Sequence, residues 1–239
     1  MSLRTFLVAL MLLATPALAA ARPIEAKPLD IRVVIVTTWE VQLQGKDVFG
    51  ELQAWRTRWP LTTELPFPIG IHPLEYDPRR HVLAIVTGMA TARAAAAITA
   101  LGADPRFDLT HAYWIVAGTA GVDPKVGSAG SAAWARWVVD GDLAQELDPR
   151  DAPPDWPTGI VPYGRSTPYQ APAPALLGEN VGVAYALNSS LVDWAYTQTK
   201  DTKLPDDALL AKLRAPYAGL GAAPPFVLEG EGLMSARTW

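Results

Sequence analysis

Ile31-Arg32-Val33-Val34-Ile35-Val36-Thr37 decides the fold class. A run of β-branched residues with one charge suits a strand buried on both faces, not one alternating between core and water. A second such run, His81-Val82-Leu83-Ala84-Ile85-Val86, leads through Thr87-Gly88-Met89-Ala90-Thr91 into an alanine-rich stretch. That stretch, residues 92–101, reads as a helix ended by Gly102 and Pro105. Tyr113-Trp114-Ile115-Val116-Ala117 is a third buried strand, turning at Gly118-Thr119-Ala120-Gly121, and residues 131–140 are a fourth, carrying Trp134 and Trp137. Asn188 caps a helix to about Thr199, Asp206 begins another through Arg214, and Phe226-Val227-Leu228 is a short last strand. The rest up to Pro78 reads as loop with a short helix over 50–58, and residues 148–175 show crowded prolines and glycines without periodicity. Buried strands alternating with helices predict an α/β sheet, and with no repeat or linker residues 20–239 read as one domain.

Composition narrows the function classes. Half of the 239 residues are hydrophobic and 18% are charged, which excludes a disordered or coiled-coil chain. A net charge of −4 gives no footprint for nucleic acid or anionic lipid. The absence of cysteine excludes disulfide scaffolds, thiolate metal sites and cysteine nucleophiles. At the amino end, Arg4 precedes the apolar run Thr5–Leu13, Pro16 breaks it, and Ala17-Leu18-Ala19 offers a small-x-small cleavage pattern. Residues 1–19 therefore read as a signal peptide, with a retained anchor as the alternative, because a span needs about 20 apolar residues. No later run reaches that length, so the mature chain is expected to be exported, periplasmic or secreted, with no membrane span.

The chemistry begins with absences. Neither a dinucleotide fingerprint, a P-loop nor a serine elbow occurs, and His72, His81 and His111 lack metal-ligand spacing, so no metal or organic cofactor is expected. What remains are glycine turns at strand ends, where open α/β sheets bind ligands. Thr87-Gly88 can offer backbone N–H groups to an anion or a sugar hydroxyl, or can be an ordinary strand–helix turn capped by Thr91. Ala117-Gly118-Thr119-Ala120-Gly121 lets a flat ligand approach the backbone, or is simply a tight crossover. Glu40, beside Trp39 just past the first strand, has the position of a general base, though a lone glutamate there is more often a solvated side chain.

The strings VVIVTTWE, VTGMATARAA, YWIVAGTAGVDP, WVVDGDLAQELDPRD, DWPTGIVPYG and LVDWAYTQTKDTKLPD, in this order, resemble the purine nucleoside permease family, its bacterial members in particular, along residues 31–239. That family is similar in turn to the nucleoside phosphorylase superfamily. The resemblance implies a three-layer α/β sandwich around a mixed sheet and cleavage of a purine nucleoside's N-glycosidic bond. Under it Glu40 orients the attacking water, Thr87 and Gly88 face ribose or phosphate, and Thr119, Ala120 and Gly121 run beside ribose and base. Trp156 and Tyr163 are candidates for stacking on the purine. Phosphate is a candidate co-substrate, and a homo-oligomer is expected because superfamily sites are often completed across subunits.

Two departures accompany the resemblance. The family pattern has glycine after Met89, where this chain has Ala90, which crowds the turn. Relatives also continue past the segment matching LMSARTW, so the chain is expected to lack C-terminal strands and helices, leaving the strand at Phe226–Leu228 without partners. Three functions stay open on these grounds: an exported nucleoside hydrolase or phosphorylase, a non-catalytic nucleoside-binding component of uptake, and an inactive fragment.

Overall fold

The computed structural model describes residues 27–40, 50–156, 158–171 and 184–234. The expected signal peptide and the last residues, 235–239, lie outside the described residues. Two compact units divide the chain between Thr119 and Ala120.

The first unit contains strands β1 (Leu29–Asp30) and β2 (Val33–Thr37), helix α1 (Gln53–Arg56), and strands β3 (Thr63–Leu65), β4 (Leu74–Asp77) and β5 (Val82–Val86). Helix α2 (Thr91–Gly102) and strands β6 (Phe107–Asp108) and β7 (Tyr113–Val116) complete it. Its main sheet has the order β3-β4-β5-β2-β7. The central strand β2 runs parallel to both β5 and β7, while β4 is antiparallel to β3 and β5. The sequence signal for β2 is borne out, since Val34 is 0% exposed and Ile35, Val36 and Thr37 are buried with it. Val34 and Val36 join Leu83 and Ile85 on one face, against Ala97 and Leu101 of α2. Ile35, Ala84 and Val86 form the other face, against Leu52, Trp55 and Trp59. Apolar cover on both faces is what lets these strands do without alternation.

Two expectations change here. The stretch read as loop before Pro78 contains the hairpin β3–β4. Its strands have three and four residues and are bracketed by Pro66, Pro68 and Pro73, so the signal was short, although Leu74-Glu75-Tyr76 alternates buried and half-buried side chains. Strand β7 is not a buried strand but the sheet's edge, and Tyr113 and Val116 are 61% and 75% exposed.

In the second unit β8 (Ala132–Asp140) is the centre of a three-stranded sheet, between β11 (Ala184–Ala186) and β12 (Val227–Met234). A separate hairpin pairs β9 (Ala144–Glu146) with β10 (Ile160–Pro162), the second strand lying within the region that showed no periodicity. Helix α3 (Ser189–Thr199) begins as the sequence indicates, whereas α4 (Ala208–Arg214) is capped by Asp207, one residue after the expected Asp206. The Asn188 side chain accepts the Leu191 N–H at 3.1 Å, and Asp207 accepts the Leu210 N–H at 2.8 Å. The strand expected to lack partners finds one, because β12 runs parallel to β8 from Val227 to Met234. Its register shifts between Gly230 and Gly232, and the Glu231 side chain accepts the Trp137 N–H at 2.7 Å at that irregularity.

The protein is thus a mixed α/β chain with several sheets and few helices, and no closed barrel forms among the described residues. No described helix is long and apolar enough to cross a membrane.

Candidate functional site

Three parallel strands of the first unit, β5, β2 and β7, end at one edge of the sheet. Their carboxyl ends lead into the loops at Thr38–Glu40, Thr87–Ala90 and Ala117–Thr119, where backbone groups leave the ladder and need other partners.

One carboxylate supplies many of those partners. Glu51, just ahead of α1, accepts at Oε2 from the Thr38 N–H (2.8 Å), the Thr38 hydroxyl (3.0 Å) and the Trp39 N–H (3.1 Å). At Oε1 it accepts from the Thr119 N–H (2.8 Å) and the Thr119 hydroxyl (3.0 Å). Partial burial pushes this carboxyl up, but the backbone N–H donors of Thr119, Thr38 and Trp39, with the Thr119 hydroxyl, outweigh it and hold the group below the ordinary 4.5. Glu51 is therefore an anion with its acceptors taken. Sequence reasoning passed over it, because an acid beside a short helix has no signature of its own.

Glu40 occupies a different environment. Its carboxylate, 4% exposed, accepts the Leu52 N–H at 3.0 Å and faces the Arg56 guanidinium at 3.4 Å. Arg56 also forks onto both oxygens of Glu75 on β4. A Cβ on Gly50 would overlap the Glu40 carboxyl, so the close pass of these two segments requires glycine there. A cleft of about 430 Å³ lined by Arg56, Pro60, Leu61, Thr62, Glu64 and Glu75 opens beside this ion-pair chain, and it includes none of the residues singled out from the sequence.

The turn after β5 has its own constraint. Thr87 is buried and its hydroxyl donates to backbone carbonyls, Thr37 O at 3.3 Å and Gly88 O at 3.1 Å. Its side chain thus closes the turn. Gly88 has φ +83°, and Ala90, the residue before α2, has φ +77° and ψ 147° with no side-chain cap. The expected cap at Thr91 is replaced by this strained alanine, with Thr91 as the first helical residue.

The remaining sequence-predicted residues separate between the units. Thr119 ends the first unit on Glu51, whereas exposed Ala120 and Gly121 open the second. Trp156 is half-buried there, and its backbone N–H donates to Pro153 O at 3.0 Å. Tyr163 follows β10 directly and is 47% exposed.

Parallel strands ending together on knitted loops define an α/β protein of the kind that receives small ligands at strand ends. The chain belongs to the purine nucleoside permease family, whose model matches residues 30–239. It is 30% identical over 161 residues to a Schizosaccharomyces pombe protein named "Probable purine nucleoside permease", a match covering 65% of this chain and 46% of that protein. It is 39% identical over 83 residues to a "Purine nucleoside permease" of Candida albicans, covering 34% of this chain and 20% of that protein. The matched stretches span less than half the length of these fungal relatives. No solved structure matches the chain.

Proposed function

We propose that this chain binds purine nucleosides at the carboxyl edge of β5, β2 and β7 and thereby serves nucleoside transport. One observation carries the reading: in a chain of the purine nucleoside permease family, three parallel strands end together and one anion ties the loops after two of them, β2 and β7. The exposed residues of these loops, Met89 and Ala90 after the buried Thr87–Gly88 turn and Gly118 and Thr119 after β7, are the contact surface, and no cofactor takes part. Export to the periplasm or medium and a homo-oligomeric state belong to the same proposal.

Cleavage of the glycosidic bond is the second reading, and Glu40 is what favours it. A carboxylate just past β2 has the placement to orient a nucleophile. In its present contacts that carboxylate serves Leu52 and Arg56, which supports binding ahead of hydrolysis.

The test is to mix the purified chain with inosine or adenosine, with and without phosphate. Equilibrium dialysis follows binding and chromatography follows free base. Saturable binding with no base released is the expected result. Free base accumulating only with phosphate would move the assignment to a phosphorylase, base without phosphate to a hydrolase. No binding at millimolar nucleoside would refute both. The stacking expected of Trp156 and Tyr163 is checked by whether Trp156→Phe and Tyr163→Ala weaken inosine binding.

A further inference from the structure

Of the two glutamates near the strand ends, one gives its acceptors to the loops. We propose that Glu51 is the positioning residue of the nucleoside site, tying the loop after β2 to the loop after β7 so that both keep the shape that receives the ligand. This rests on the binding reading above.

The contacts argue for that role in three ways. The groups Glu51 holds lie 12 to 13 residues away on one side and 68 on the other, so it joins segments that share no turn of their own. All five contacts are donors, and an ionised carboxylate is the group that accepts at both oxygens. An amide would turn an NH₂ toward the N–H groups of one loop or the other. The approach on the β7 side also depends on Gly118, since a Cβ there would lie 3.0 Å from Oε1. The hydrophobic clusters that hold the sheet together are formed by other residues, Val34, Leu83 and Ile85 among them, so losing Glu51 loosens the loops while leaving the sheet. Glu51 acts through Thr38, Trp39 and Thr119, and it is not itself a catalytic group.

Two readouts on the full chain test the proposal. In wild-type protein labelled with nitrogen-15, the amide protons of Thr38, Trp39 and Thr119 are expected to titrate together, with one midpoint below 4.5, and to lose that titration in Glu51→Gln. Inosine affinity is expected to fall by about tenfold or more in Glu51→Gln, the scale of one lost charged hydrogen bond, while amide exchange at Val34 and Leu83 stays as in wild type. Glu51→Asp, one methylene shorter, is expected to release one loop and give a smaller loss. Should Glu51→Gln not fold, Gly118→Ala is the second probe, with a weakened Thr119 contact and intermediate affinity.

Independent titration of the three amides overturns the clamp. Unchanged inosine affinity after the shared titration has been lost overturns the positioning role. A wild-type chain that binds no inosine defeats the binding reading and the ligand half of this proposal together, and the shared titration then decides the clamp alone.

Discussion

Ala90→Gly is expected to stabilise the first unit. Ala90 has φ +77° and ψ 147°, a region open in practice only to glycine, and an L residue held there costs about 1–3 kcal/mol. Glycine removes that strain but returns about 0.4–1 kcal/mol through the greater freedom of the unfolded chain. The methyl group is exposed and caps nothing, so no cavity or hydrogen bond is lost. The net gain is about 0.5–2 kcal/mol, or roughly 2–8 °C in the melting midpoint of a unit this size. Far-UV circular dichroism on heating or in urea measures it. The control is Ala96→Gly, an exposed position inside α2, which should lose about 0.5–1 kcal/mol. The same chemical change, six residues apart, then has opposite signs. If Ala90→Gly is neutral, or moves in the same direction as Ala96→Gly, the backbone at residue 90 is not strained and the reasoning fails.

Other outcomes follow from the contacts around Glu40 and Glu51. Arg56→Met leaves the Glu40 carboxylate, 4% exposed, with the Leu52 N–H alone among the described residues; a loss of about 1–3 kcal/mol in urea unfolding is expected, with Arg56→Lys retaining part of it. Gly50→Ala drives a methyl into that carboxyl and should cost about 1–3 kcal/mol, and a wild-type midpoint would show that the two segments do not pass so closely. The Glu51 carboxyl titrates lower in the folded than in the unfolded chain, so its contribution is fully present above the ordinary 4.5 and disappears as pH falls through the folded value. Urea midpoints taken at falling pH should therefore drop more steeply in wild type than in Glu51→Gln, and parallel curves would remove Glu51 from the acid limb.

Much of the fold was legible in the chain because the strongest patterns coincide with the most buried elements. Val33–Thr37 and Val82–Val86 are covered on both faces, and such strands are written as continuous apolar runs. Side-chain caps also carry signatures, which is why Asn188 and the aspartates before α4 marked helix starts. Length was the limit for β3, β4, β9 and β10, each of three or four residues, in which period-two alternation hardly repeats. β7 failed for another reason. Its composition matches a central strand, and only the strand order makes it an edge.

At the site, residues near glycine turns were found and the carboxylate that organises them was not. Thr119 was singled out for its neighbours Gly118 and Gly121, yet its partner Glu51 stands 68 positions earlier, and no spacing rule links them. Glu40 was visible because it stands three residues past the end of β2. Its pairing with Arg56 depends on how the chain returns through Gly50, which is a tertiary fact.

The central place of β2 has a consequence for synthesis. It is the first strand of the main sheet to leave the ribosome and the one that needs neighbours on both sides, β5 about 45 residues later and β7 about 75 residues later. At roughly 5–20 residues per second its five-residue apolar run waits about 2–9 s for the first partner and about 4–15 s for the second. During that interval Val33–Thr37 is a segment for chaperones to hold, and slowing translation after residue 40 should lengthen its exposure without changing the final fold.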